Sequence, residues 1–381
     1  MAKAEIPSLD DALDAALKAK FAKTDVIVGR ASDVGFLSDV QEWVPTGIYW
    51  LDLLLSRGQG LPVGRFIEVF GPEEGGKSAL SEFLAGLYVR TQASKPHWAD
   101  LEKSLDWKHF ACYGVTRDTL WTPDLETLEQ TWDYIGATLD TLDERIAPLA
   151  KAKLPPDPPA LFVVDSIAAG CPQAELAEET AEAKHMAETA RAMSKGFRKY
   201  LRRVSKSRST VVFVNQIRDK MNAKPGQKQT QPPGGRAMRF GCSIRLELVR
   251  VQNIEGKSGR QVGHMVKVTA VKNRHAPSRM TCEFVISYTR GIDVAWSNFL
   301  FFKNFGYITP AGASWHWKGR DAAFKRIDFA AFCRDNLAAV EKARDAIFEK
   351  ELAAYDTAPA TDLEDEEEAD APPSGPADEA G

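Results

Sequence analysis

The chain has 381 residues, 44% hydrophobic and 27% charged, enough for one large core plus one or two small modules. No run approaches 18 uncharged apolar residues, and the cysteines (Cys112, Cys171, Cys242, Cys282, Cys333) stand far apart. A membrane span, a disulfide framework and a zinc site are therefore not expected, and a reducing, cytoplasmic compartment fits best. The net charge of −4 conceals a division: the last twenty residues carry nine acids and no base, which leaves +5 on the rest. A basic body with an acidic tail suits a polyanionic partner.

The N-terminus has acids and no apolar run, so no secretion signal is expected. Leu9, Leu13, Ala16, Leu17 and Phe21 recur at helical spacing and predict a short amphipathic helix over 8–22. A lone helix of that length must pack on the body or on a neighbouring molecule. "GQGLPVGRFIEVFG" reads as a turn into a buried strand, Phe66 to Phe70, and "KSALSEFLAGLYVR" has a helical period. Residues 137–160 predict a helix closed by the prolines of "LPPDPPA". "ALFVVDS" is an apolar strand ending at Asp165, 174–208 a long helix, and "STVVFVNQ" a second buried strand ending at Gln216. "DKMNAKPGQKQTQPPGGR" predicts a long polar loop. "CSIRLELVRVQ", "HMVKVTAVKN" and "MTCEFVISY" predict further strands, 298–350 a small mixed module with two helices, and the chain beyond about 356 has a disordered composition.

Between the first strand and its helix lies Gly71-Pro72-Glu73-Glu74-Gly75-Gly76-Lys77-Ser78, followed by Ala79. Strand, GxxxxGKS loop and helix, in that order, form a nucleotide site. Its backbone N–H groups cradle phosphate, Lys77 reaches the β/γ oxygens, Ser78 offers a hydroxyl to Mg2+, and the helix N-terminus adds positive potential. Glu73 and Glu74 point away from the ligand, yet their charge repels a triphosphate unless a cation lies between. Asp165 ends an apolar strand, the usual place for the carboxylate that orders Mg2+ and its waters. A hydrolase also needs a group that orients water; "HWADLEKSLD" offers Asp100, Glu102 and Asp106, and residue chemistry alone leaves all three open.

Arg191, Lys195, Arg198, Lys199, Arg202, Arg203, Lys206 and Arg208 follow without an acid, most on one helix face. The loop over 218–239 carries Arg218, Lys220, Lys224, Lys228, Arg236 and Arg239 against one acid, with no aromatic before Phe240. It can track a phosphodiester backbone but cannot stack bases from its middle.

The blocks "TGIYWLDLLLSRGQGLPVGRFIEVFGPEEGGKSAL", "FVVDSIAAGCPQAEL", "VVFVNQIRDKM", "GGRAMRFGCSIRLEL" and "VKVTAVKNRHAP" together resemble the RecA recombinases, bacterial and phage, in the same order and from about residue 8 to 350. The resemblance implies a RecA-like α/β P-loop ATPase core (41–296) with a mostly parallel sheet. Around it stand an N-terminal docking helix and linker (1–40), a small α/β C-terminal domain (297–355) and an acidic tail (356–381) that competes with duplex DNA. It implies an ATP- and Mg2+-dependent filament on single-stranded DNA that pairs with homologous duplex and exchanges strands. Single-strand-binding protein and loading mediators are further partners, in a bacterial cell or phage-infected host. Matching by position selects Glu102 as the water-orienting base, Gln216 as the γ-phosphate sensor, and Asp106 and His109 as neighbours of adenine. Lys272 and Arg274 match two cations that reach the next subunit's ATP, where they would also compensate Glu73. His109 replaces an aromatic of the family, Pro225 another near the tip of the polar loop, and Glu74 a small polar residue. A ring helicase motor on the same core, or an accessory paralogue with weak ATPase, are the rival readings.

Overall fold

The computed structural model describes residues 8–22, 39–173, 182–219, 230–231, 234–256, 258–320 and 323–356. Helix α1 (Leu9–Phe21) is capped by Ser8, whose Oγ accepts from the Asp11 N–H at 3.2 Å. Its Leu13 and Leu17 side chains are exposed. Strands β1 (Trp43–Val44) and β2 (Leu61–Pro62) pair antiparallel around α2 (Tyr49–Ser56).

The chain then alternates β3 (Phe66–Gly71), α3 (Lys77–Gln92), β4 (His97–Asp100), α4 (Trp107–Cys112), α5 (Leu128–Lys151), β5 (Leu161–Asp165), α6 (Glu182–Lys206) and β6 (Thr210–Gln216). β7 (Arg218–Asp219) pairs antiparallel with β8 (Thr230–Gln231), and α7 (Gly235–Gly241) leads into β9 (Ile244–Glu255), β10 (Gln261–Asn273), β11 (Thr281–Ser287) and β12 (Gly291–Ile292). The eight-stranded sheet has the order β12-β11-β10-β9-β3-β6-β5-β4. From β9 to β4 every neighbour is parallel; β9 to β12 are antiparallel. The central parallel strands β3, β5 and β6 are buried along almost their whole length and mostly apolar, because both faces are covered.

Strand alternation divides the core. Ile67, Val69, Val212 and Val214 point into one apolar cluster with α2 and α3, while Phe66, Val211 and Phe213 point into another with Trp132 of α5 and Phe197 of α6. Phe66 meets Phe197 edge-on at 5.0 Å between centroids. A buried carboxylate crosses the centre: Glu68 accepts from Asn215 Nδ2 at 2.9 Å and pairs with Arg245, so β6, β3 and β9 share one polar tie.

α8 (Val294–Asn304), β13 (Ile308–Ala311), β14 (Ser314–Trp317), β15 (Ala323–Phe324), α9 (Phe329–Asp335) and α10 (Leu337–Asp356) complete the described chain. α8 begins earlier than the expected module, capped by Asp293, and its Phe299, Phe301 and Phe302 join the first cluster. Two other boundaries differ from expectation. α5 starts at Leu128, where Thr127 and Gln130 form a reciprocal capping box, and stops at Lys151, with Pro148 in its last turns. The polar loop is tied at its base by β7 and β8, and its Gly-rich exit turns into α7, whose Met238 is buried. The tip of that loop and the acidic tail lie outside the described residues.

His97 on β4 carries a testable cost. Its ring stacks on Phe162 at 4.6 Å, Nδ1 lies 2.7 Å from the Tyr134 hydroxyl, and burial pushes its pKa down to about 4. The unfolded chain therefore binds a proton between the ordinary value of 6.5 and about 4 that the folded chain refuses. Stability is full above that window and falls through it as pH drops, by on the order of 3 kcal/mol. Thermal melts of wild type and His97→Phe from pH 7 to 4 should show this loss as their difference, because His275, also pushed down to about 4, and Asp165, pushed up to about 7, titrate in the same range.

Candidate functional site

β3 ends where its neighbour comes closest. A Cβ on Gly71 would sit 2.1 Å from the Leu248 carbonyl oxygen of β9, so only glycine fits. Gly76, at φ +89°, turns the chain into α3 as its N-cap. Lys77 folds over the loop and donates from Nζ to the Pro72 carbonyl at 2.6 Å. It is almost buried; burial lowers its pKa, while Asp165, Glu102 and Glu73 pull the other way.

Asp165 ends β5 opposite Asp100 of β4 and accepts from Ser78 Oγ at 3.1 Å. Burial, then Glu102, raises its pKa to about 7, so the carboxyl sits in a place that calls for a cation. Among the described residues no group of three or more His, Cys, Asp and Glu is arranged to hold a metal by itself. One carboxylate and one hydroxyl suit a hard ion that keeps waters and shares phosphate oxygens.

The three acids left open by the sequence separate by their hydrogen bonds. Asp100 accepts from the N–H groups of Ser104 and Leu105 at 3.2 and 2.9 Å. Asp106 caps α4 through the Lys108 N–H at 2.8 Å. Glu102 instead accepts from Gln216 Nε2 at 2.8 Å and from the Ser166 hydroxyl. The ends of β4, β5 and β6 thus bring Glu102, Asp165 and Gln216 together with Lys77 and Ser78.

Beside this group opens a cleft of about 470 Å³. The loop and α3 line it with Glu74 to Ala79 and Glu82, the α4 region with His109, Cys112 and Tyr113, and the outer strands with Arg250, His264, Ile286, Tyr288 and Gly291. His109 is where a base neighbour is expected; Asp106 is not on this wall. The sequence reading missed Glu82 of α3, Tyr113 at the end of α4, Arg250 and His264 of the outer strands, and Tyr288 just after β11, none of which carries a spacing signal. Burial, then Asp165 and Asp106, pushes the Glu82 carboxyl up to about 8, with His109 Nδ1 3.9 Å away.

Glu74, at φ +56°, receives its cation from within the chain, since Arg250 Nη1 lies 2.6 Å from Oε2. Lys272 and Arg274 do not line their own chain's cleft. Lys272 Nζ donates to the carbonyls of Arg239 and Cys242, at 2.6 and 2.7 Å, at the end of α7.

On α6, Met193, Phe197, Tyr200 and Val204 face the core, leaving Arg191, Lys195, Arg198, Lys199, Arg202 and Lys206 exposed. Members of the basic run also serve the fold, Lys206 among them with Asp143 at 4.0 Å. Arg203 binds Asp140 and Asp143 at 2.7 and 3.3 Å, and Arg208 pairs with Glu42. Arg236 and Arg239 are exposed on α7. Arg218 is described in backbone only, and Lys220, Lys224 and Lys228 lie outside the described residues.

The family model of the RecA N-terminal domain matches residues 8–293. Protein RecA of Arthrobacter sp. (strain FB24) is 31% identical over 87% of this chain and 89% of its own length. Protein RecA of Caldanaerobacter subterraneus is 33% identical over 82% and 86%, and that of Heliobacterium modesticaldum 32% over 87% and 89%. No described helix is long and apolar enough to cross a membrane. The chain belongs to the RecA family, the nucleotide-binding, self-assembling, DNA-dependent ATPases of homologous recombination and DNA repair.

Proposed function

We propose that the cleft binds ATP with Mg2+ and that the bound triphosphate is shared with the next subunit of a filament on single-stranded DNA. The observation that carries this is the Gln216–Glu102 hydrogen bond at 2.8 Å. Gln216 is the last residue of β6 and stands just ahead of β7, where the polar loop begins. A group that senses the γ-phosphate is thereby wired to the segment that meets DNA.

The loop N–H groups and Lys77 hold the phosphates, and Glu82 and His109 border the base side of the cleft. Asp165 and Ser78 would hold Mg2+, which neutralises charge developing on the phosphate oxygens. Glu102 takes a water's proton-bearing side and aims its oxygen at the γ-phosphorus; Ser166 and Gln216 fix that carboxylate. Lys272 and Arg274 of one subunit complete the neighbour's site, and hydrolysis loosens the contact. Glu73 has its charge compensated there. Because Lys272 also holds the end of α7, an ATP that draws it away changes the exit of the DNA loop. α6, α7 and the loop bind the phosphodiester backbone through Arg191, Lys195, Arg218, Lys220, Lys224, Lys228, Arg236 and Arg239, with affinity that falls steeply with salt. Single-strand-binding protein and loading mediators would act at loading, in the cytoplasm.

Imaging on single-stranded DNA with a non-hydrolysable ATP analogue tests this reading. Extended helical fibres are expected; closed rings would contradict it in favour of a motor, and isolated particles in favour of an accessory protein.

A further inference from the structure

The carboxylate inside the phosphate loop has a counterpart built into the cleft wall. Arg250 of β9 donates from Nε to Asn253 Oδ1 at 2.9 Å, from Nη1 to Glu74 Oε2 at 2.6 Å, and from Nη2 to the Tyr288 hydroxyl at 3.3 Å. All three guanidinium nitrogens are held, so the cation is fixed rather than swinging. Its side chain is 24% exposed, whereas that of Glu74 is 78% exposed. The left-handed backbone at Glu74 turns the carboxylate toward β9. Among the residues lining the cleft the permanent cations are Lys77 and Arg250. Lys77 is already engaged by the Pro72 carbonyl.

We propose that Arg250 is the intramolecular counter-ion of the phosphate loop, a positioning residue that lets a loop carrying Glu74 accept a triphosphate. An ion pair with one partner this exposed adds little to folding stability. Its effect falls on the ligand. A bare carboxylate on the loop repels a polyanion in the same cleft, and a fixed guanidinium beside it removes that repulsion. Arg250 also ties the loop to Tyr288, so the wall and the phosphate cradle keep one spacing. The inference rests on the reading of this cleft as the ATP site and adds to it the source of its charge balance.

The test is a charge-rescue cycle in the full chain, titrated with a fluorescent ATP analogue and Mg2+, with melting temperatures recorded for each variant. Arg250→Ala should weaken binding roughly tenfold or more, and Glu74→Ser should tighten it by about twofold to fivefold. Glu74→Ser combined with Arg250→Ala should return to within about threefold of wild type, because the carboxylate and its counter-ion are removed together. Arg250→Lys, which keeps the charge but not the fork to Asn253 and Tyr288, should bind weaker than wild type yet clearly tighter than Arg250→Ala. A double variant as weak as Arg250→Ala, or an Arg250→Lys variant that melts like wild type yet binds as weakly as the alanine, overturns the counter-ion role. Failure of the wild type itself to bind the analogue overturns the ATP-site reading instead.

Discussion

Glu102→Gln should bind nucleotide and assemble on single-stranded DNA, yet hydrolyse ATP at least a hundredfold more slowly than wild type, on the order of 10² to 10⁴. The glutamine keeps an oxygen for the Gln216 amide, which lies 2.8 Å from Glu102 Oε1, so the geometry around β4, β5 and β6 survives. What disappears is the negative charge that takes the proton of an attacking water. Nucleotide affinity should stay within about threefold, because the proposed phosphate contacts are Lys77 and the loop amides. Steady-state hydrolysis on DNA, beside a nucleotide titration, separates the two. A kcat within tenfold of wild type would move the water-orienting role away from Glu102, and Asp100 and Asp106 are poor substitutes because both cap backbone N–H groups.

Replacing Lys272 and Arg274 together by alanine should have a different signature. Neither lines the cleft of its own chain, so a free subunit should still bind nucleotide. DNA-stimulated hydrolysis should fall by roughly 10³ or more, the usual scale for cations that stabilise phosphoryl transfer from across an interface. Filament assembly with ATP should weaken in parallel, since in the proposed filament the same two cations join subunits through the triphosphate. The loss of the Lys272 hydrogen bonds to Arg239 and Cys242 should also loosen the end of α7.

The grouping of Lys77, Ser78, Asp165 and Gln216 was legible in the sequence because its parts are local. Gly71 to Ser78 sit on one turn, and Asp165 and Gln216 each end an apolar strand. Parallel strands deliver their C-terminal ends to one edge, so strand-end polar residues meet there. The far wall of the cleft was not legible. Arg250 and His264 belong to β9 and β10 and Tyr288 follows β11, outer strands whose register is set by antiparallel pairing, and alternation says which face a residue takes but not what it meets. His264 is buried with both ring nitrogens unpartnered, a property that only the packed structure reveals. The start of α5 was missed because its signal is the pair Thr127 and Gln130, which lies outside the apolar period. Choosing Glu102 over Asp100 and Asp106 needed either the family resemblance or the hydrogen bonds, because all three have the same chemistry in sequence.

A mixing experiment tests most directly whether the triphosphate is shared between subunits. Glu102→Gln protein lacks the water-orienting group but retains the trans cations; the Lys272→Ala, Arg274→Ala protein has the reverse defect. Each should be nearly inactive alone. In randomly mixed filaments at equal concentration, about one site in four joins an intact Glu102 to an intact cation pair, so hydrolysis should recover toward a quarter of the wild-type rate. A mixture no more active than its two components, or a doubly substituted cation variant that hydrolyses ATP at the wild-type rate by itself, would contradict the account.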